Sequence, residues 1–135
     1  MTLTHLLDTG WIVRHLRGDT AYTESIARIG AGHLAVSVIS VGELFEGVFR
    51  ASDPVAAEHA LDLFLSDKTV LPVGEDLCRL FGDHRARLRR GNELIGDLDL
   101  LIGITCLHHY LGLLTTNPKH FQRLPGLTVI STPSP

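Results

Sequence analysis

The residues of this chain best placed to do chemistry are carboxylates. Asp8 closes the short apolar run "LTHLL" and is followed by Thr9. Glu43 lies early in "SVISVGELFEG", and Asp97 and Asp99 interrupt the otherwise apolar "IGDLDLLIGITCL". Each has an ordinary explanation. Asp8 can cap a helix that starts near Thr9, because Asp and Thr both accept backbone N–H bonds there. Glu43 can sit on the surface of a helix whose Val41, Leu44, Phe45 and Val48 turn inward, with Glu46 three residues on and roughly on the same side. Asp97 and Asp99 cannot share a job, since side chains two apart on a regular helix point about 200° away from each other. Asp97 follows Gly96 and fits an N-cap. Asp99, inside the first turn, gains at most about 1 kcal/mol from the helix dipole, too little to require an aspartate among leucines.

Convergence of Asp8, Glu43 and Asp99 would give all three a common reason. Two carboxylates about 4 Å apart repel by roughly 4 kcal/mol at an effective dielectric near 20, so such a cluster must take up protons or a cation. An all-oxygen set with no Cys or His pair at ligand spacing suits Mg²⁺ or Mn²⁺ better than zinc. Divalent metal on carboxylates serves phosphoryl chemistry, and the reaction class that follows is phosphodiester hydrolysis.

The elements that must carry these residues alternate along the chain. Short apolar runs bounded by turn residues alternate with helical patterns, which predicts an α/β fold with a mainly parallel central β-sheet flanked by helices. "LTHLL", "HLAVSV" and "KTVLPV" read as strands, and "GLLTTNPKHFQRLPGLTVIST" as strand, short helical turn, strand. "TGWIVRHLRG", "TAYTESIARIGAG", "EDLCRLFGDHRARLRRG" and "DLDLLIGITCLHHYL" read as helices. "SVGELFEGVFRA" and "PVAAEHALDLFLSD" form a helical hairpin whose second arm starts at Pro54, a residue suited to a first turn. In such a sheet a ligand site lies off the carboxyl ends of the strands, where Asp8 falls.

With 135 residues, 44% of them hydrophobic, residues 1–135 have the size of a single domain with a real core. A formal net charge of −3 gives no global pull on nucleic acid, so a polyanion must be held locally. Cys78 and Cys106 do not form a C-x-x-C pair and read as buried free thiols in a reducing compartment. No signal-peptide pattern or run of transmembrane length occurs, which predicts a soluble, cytoplasmic protein without a membrane partner.

In order and spacing these motifs resemble those of the PIN-domain ribonucleases, most closely the toxin subunits of VapBC-type toxin–antitoxin pairs. "LLDTG" is similar to the opening acidic motif, "SVISVGELFEG" to the second, "IGDLDLLIGITCL" to the third and "LGLLTTNPKHFQRLPGLTVI" to the terminal segment. The resemblance places Asp8, Glu43 and Asp99 on the metal-binding acids, Thr9 on the hydroxyl residue beside the first, and Asp97 on a variable position. Where many relatives carry a further acid, this chain has Asn117 and His120, and Asn117 can orient a water or the other carboxylates. Gly10 replaces a common Asn or Ser, and Gly103 a common alanine, as a close-packing detail. The resemblance implies a PIN-like fold and an Mg²⁺-dependent (or Mn²⁺-dependent) ribonuclease with catalytic Asp8, Glu43, Asp99 and Asn117. It also implies a homodimer inhibited by a VapB-like antitoxin whose C-terminal segment covers the groove.

"RARLRR" offers Arg85, Arg87, Arg89 and Arg90 as RNA-binding candidates, Arg85 and Arg89 on one face and Arg87 and Arg90 on another; a solvated helix face is the plain alternative. Phe45, Val48 and Phe49 can form a dimer or antitoxin surface or an ordinary core. His108 and His109 are expected to face apart. A haloacid-dehalogenase-like phosphatase needs a second aspartate where Gly10 stands, and no G-x-S-x-G elbow supports serine hydrolysis. The reading from another class is a catalytically inactive PIN-fold module that binds RNA or protein. The intact acid triad favours the enzyme.

Overall fold

The structure is a computed structural model that describes residues 2–133. Its strands are β1 (His5–Leu7), β2 (Leu34–Ser37), β3 (Thr69–Leu71), β4 (Gly112–Leu114) and β5 (Val129–Ile130). They form one sheet in the order β3-β2-β1-β4-β5, parallel at every pairing. The helices are α1 (Thr9–Leu16), α2 (Thr20–Ile29), α3 (Val38–Arg50), α4 (Pro54–Leu65), α5 (Glu75–Arg90), α6 (Asp97–His109) and α7 (Pro118–Phe121). The expected elements are all present, and α4 begins at Pro54 with Asp53 Oδ1 accepting from the Ala56 N–H at 3.1 Å.

Alternation along the strands divides the core between the two faces of the sheet. Leu6, Ala35 and Leu113 pack with Leu77, Leu88, Leu100, Ile104 and Phe121 beneath α5, α6 and α7. Their neighbours Leu7, Leu34, Val36 and Leu114 pack with Trp11, Ile26, Leu44, Val48 and Phe64 beneath α1 to α4. Both faces are covered, as a parallel sheet requires. α6 is buried through its middle, at Leu100 and from Ile102 to Cys106, and its one deep hydroxyl, Thr105 Oγ1, donates to the Leu101 carbonyl at 2.7 Å. Gly103 lets α7 close on α6, because a Cβ there would lie 2.5 Å from Leu124 Cδ1 and 3.3 Å from Phe121 Cδ1.

The connection from β1 runs outward through β2 and β3, then returns to place β4 on the other side of β1. The gap between the carboxyl ends of β1 and β4 is therefore the topological switch point, where α/β sheets hold their ligands. Asp8 and Thr115 are the residues immediately after those two strands.

The packing corrects two expectations and divides a third. Cys78 is exposed, because the charged helix α5 buries only Leu77 and Leu88; Cys106 is buried as expected. Val48 belongs to the core, while its neighbour Phe49 is 72% exposed. The rings of His108 and His109 do not face apart: they meet edge to face at 4.8 Å, and His108 Nε2 lies 3.1 Å from Asp76 Oδ2. No helix among the described residues is long and apolar enough to cross a membrane.

Candidate active site

Asp8 leaves β1 and enters α1, and its position is fixed by both neighbours. Its Oδ1 accepts the Thr9 N–H at 2.8 Å and its Oδ2 accepts the Thr115 hydroxyl at 2.7 Å. Only 4% of the residue is exposed. Thr115 Oγ1 in turn accepts the Asn117 N–H at 3.0 Å, so β1, β4 and the start of α7 are tied together across the switch point. Asp8 thus caps α1, and that cap does not exclude a second role for its carboxylate.

Ser37 caps α3 through the Ile39 N–H, and one turn later α3 presents Ser40 and Glu43 to α1. Thr9 Oγ1 lies 2.7 Å from Glu43 Oε1 and 2.9 Å from Ser40 Oγ. A hydroxyl carries one proton, so Thr9 donates to the carboxylate and accepts from Ser40. Glu46 turns outward to Arg50, 3.7 Å away.

The third acid arrives on α6. The helix starts one residue earlier than an Asp97 cap requires: Gly96 is the N-cap, without a side-chain bond, and Asp97 is the first helical residue. Asp97 Oδ1 instead takes Arg85 Nε at 2.9 Å, pinning α5 to the first turn of α6. Asp99 turns the other way, its side chain 28% exposed, and its Oδ2 lies 2.7 Å from His120 Nδ1 on α7. The two aspartates do have separate jobs, with Asp97 in an ion pair and not a cap.

Burial pushes the Asp8 carboxyl above the ordinary carboxylate range, hydrogen bonds from Thr115 and Thr9 oppose this, and the charges of Asp99 and Glu43 push it further up. Asp8 is therefore close enough to both Glu43 and Asp99 to feel their charge. The three acids are not drawn to a common point: among the described residues no three His, Cys, Asp or Glu side chains stand at metal-ligating spacing. Thr9, Thr115 and His120 each hold one carboxylate apart from the others. The donor set nevertheless suits a hard cation, since a buried, strongly acceptor-bonded carboxylate flanked by two more is what such a cation neutralises. Burial and the nearby Asp8 charge push the Cys106 thiol well up, so it is inert.

Asn117 sits at the start of α7, exposed, and its side chain makes no hydrogen bond among the described residues. His120, three residues on, is the side chain of "TTNPKHF" that engages an acid. Of the arginines in "RARLRR", Arg85 is bound to Asp97 and Arg87 to Asp83 at 3.0 Å, while Arg89 and Arg90 are exposed. Thr115 and Ser40 were not foreseen. Thr115 could have been found by the rule that found Asp8, because it too directly follows an apolar strand. Gly10 has a steric reason: a Cβ there would collide with Thr116 Oγ1, so the space a side chain at position 10 would fill is taken from the β4 side.

The profile of the PIN domain family matches residues 5–127. Ribonuclease VapC19 of Mycobacterium tuberculosis is 36% identical over 124 residues, covering 90% of this chain and 95% of that protein. Ribonuclease VapC2 of Rickettsia felis is 31% identical over 127 residues, covering 93% and 95%. Among solved structures, VapBC2 from Rickettsia felis bound to a DNA fragment superposes with a TM-score of 0.86 at 26% identity, over 95% of this chain and 98% of that one. DNA-bound VapBC from Salmonella typhimurium shares the fold with a TM-score of 0.89 at 23% identity, over 96% and 98%. On the extent of these matches, and with its acids at the switch point of a five-stranded parallel sheet, the chain belongs to the PIN-domain family.

Proposed function

We propose that this protein is a divalent-metal-dependent endoribonuclease, the toxin of a type II toxin–antitoxin pair, acting in the cytoplasm as a homodimer and held inactive by a VapB-like antitoxin. The observation that carries the reading is the buried Asp8 carboxylate, bonded to Thr9 and Thr115 and pressed by the charges of Glu43 and Asp99. Asp8, Glu43 and Asp99 would hold Mg²⁺ or Mn²⁺. Bound there, the ion supplies charge neutralisation at the phosphate and activation of the attacking water.

The chain's own residues do the positioning. Thr9 N–H and the Thr115 hydroxyl fix both oxygens of Asp8, and the Thr9 hydroxyl aims Glu43. His120 holds Asp99 on the solvent side. The unbonded side-chain amide of Asn117 at the mouth is free to orient a water or a phosphate oxygen. Beside Glu43 an apolar cleft between α1, α3 and α4, lined by Val13, Leu16, Leu44 and Val48 among others, suits an inhibitory protein segment. A cationic side chain on that segment would satisfy the same acids as the metal.

The test is cleavage of total RNA with added Mg²⁺ by the unmodified protein, Asp99→Asn and Asp97→Asn. Loss of several kcal/mol of charge stabilisation predicts a fall of about 10³-fold for Asp99→Asn, against near-normal cutting by Asp97→Asn. Equal loss in both would put Asp97 in the site. No cutting by the unmodified protein with any divalent ion would leave the inactive binding module as the better reading.

A further inference from the structure

A second surface is built against the acids. Between α7 and the loop 91–96 lies a hollow of about 310 Å³ lined by Leu94, Ile95, Gly96, Lys119, His120 and Arg123. His120 joins it to the acid site, since its Nδ1 is bonded to Asp99 Oδ2. Arg123 Nη1 donates to the Leu94 carbonyl at 3.0 Å, which ties the loop and the end of α7 into one wall. Arg123 also lines a second hollow of about 170 Å³ together with His84 and Arg87 of α5 and one acid, Glu93. The two hollows share this side chain, and a path that followed both would lead from Asp99 toward the C-terminal end of α5.

The path carries cations. Lys119 and Arg123 meet no carboxylate within ion-pair distance among the described residues, and neither do Arg89 and Arg90, whereas Arg85 is taken by Asp97 and Arg87 by Asp83. In a chain of net charge −3, Lys119 and Arg123 flank His120, which is bonded to Asp99, one of the acids that would hold the metal for phosphodiester hydrolysis. A polyanion whose backbone must pass Asp99 and continue outward would meet them next. Leu94 and Ile95 offer apolar contact to a base or ribose on the facing side.

We propose that this path holds the single-stranded RNA that flanks the scissile phosphate, with Lys119 and Arg123 each meeting a backbone phosphate. The inference rests on the nuclease reading and adds to it a direction for the strand and two residues that grip it. It also shifts the main grip from the α5 arginines to Lys119 on α7 and Arg123 just after it. Because the contacts are to phosphate, they set register and affinity without reading sequence.

The test is fluorescence anisotropy of a labelled single-stranded RNA over a salt series, with Asp8→Asn as the uncut parent. Onto it are placed Lys119→Gln, Lys119→Gln with Arg123→Gln, and Arg89→Gln with Arg90→Gln as the comparison. Losing two phosphate contacts should weaken binding about tenfold and flatten the log–log salt slope by about 1.4, with Lys119→Gln alone giving about half of each. Binding by the Arg89/Arg90 variant should change little. Lys119→Gln breaks no intramolecular hydrogen bond, so it decides the matter if loss of the Arg123 bond to Leu94 loosens the loop. An unchanged salt slope in the double variant, or a loss confined to the Arg89/Arg90 variant, overturns the proposal while leaving the nuclease intact. Normal RNA binding with lost antitoxin binding overturns it too, and assigns the path to protein. If the parent binds no RNA and the unmodified protein cuts none, the nuclease reading itself falls and takes this one with it.

Discussion

The acid site has two sides, built differently. On the β1 side, Asp8, Thr9, Ser40, Glu43 and Thr115 form a chain of hydrogen bonds that crosses three elements, with Asp8, Ser40 and Thr115 buried. On the α6 side, Asp99 has one partner among the described residues, His120, whose side chain is 55% exposed. Buried, satisfied networks hold their members in one arrangement, whereas a solvent-facing pair is free to exchange partners. The β1 side is thus a fixed half of the site and the α6 side an adjustable one. If these acids hold a cation, drawing them together would ask more movement of Asp99 than of Asp8.

The sharpest way to break this comparison is to neutralise one acid on each side. Asp8→Asn and Asp99→Asn should both lower RNA cleavage by about 10³-fold, since each removes a full charge from the same donor set. Their stabilities should part. The folded-state pKa of Asp8 lies above its unfolded value, so the folded protein takes up this proton more readily than the unfolded chain. Stability tied to Asp8 is then highest below the ordinary carboxylate range and is lost as pH rises through the folded value. Asp8→Asn removes that penalty. In chelator its unfolding midpoint should exceed that of the unmodified protein at neutral pH, and the gap should close in acid. Added Mg²⁺ should raise the midpoint of the unmodified protein more than that of Asp8→Asn, through binding to the folded state alone. A neutral-pH midpoint for Asp8→Asn at or below that of the unmodified protein would mean that the Thr115 and Thr9 bonds outweigh the burial.

A smaller effect separates the residues that hold the acids. Thr115→Val keeps the shape of the side chain but strips the hydroxyl from Asp8 Oδ2, leaving a buried carboxylate oxygen without a donor, and should cost about 1–3 kcal/mol of stability. His120→Ala removes an exposed partner and should stay within about 0.5 kcal/mol of the unmodified protein. Urea unfolding at neutral pH measures both. Equal losses would show that the α6 side is as fixed as the β1 side, and the distinction would fail.

Much of this was legible in the sequence because the signals are local. A polar residue directly after an apolar run marks the end of a parallel strand, which locates Asp8, and the helical spacing in "SVISVGELFEG" turns Glu43 away from Leu44 and Val48. What was not legible depends on contacts far apart along the chain. His120 is one of eight histidines, and nothing near it in sequence shows that Asp99, 21 residues earlier, is its partner. The Asp97 cap failed over a single residue: Gly96 took the cap, and a carboxylate in the first turn had Arg85 within reach from another helix. Cys78 is exposed because α5 is mostly charged and buries only Leu77 and Leu88, so a cysteine there is not carried into the core by its neighbours.

The smallest effect tests whether Asp97 belongs to either side. Its pair with Arg85 is short, at 2.9 Å, but the Asp97 side chain is 59% exposed and the bond is to one nitrogen. Pairs of that kind contribute about 0.2–1 kcal/mol. A double-mutant cycle of Asp97→Asn and Arg85→Gln, read by urea unfolding, should give a coupling in that range, falling as salt is added. Cleavage should follow stability only, because Arg85 and Asp97 neutralise each other without touching Asp99. A coupling that appears in the rate of RNA cleavage and not in stability would instead make the pair a support for the first turn of α6. The adjustable side would then extend from His120 through Asp99 to α5, and the movement that closes the site would be that of a whole helix end.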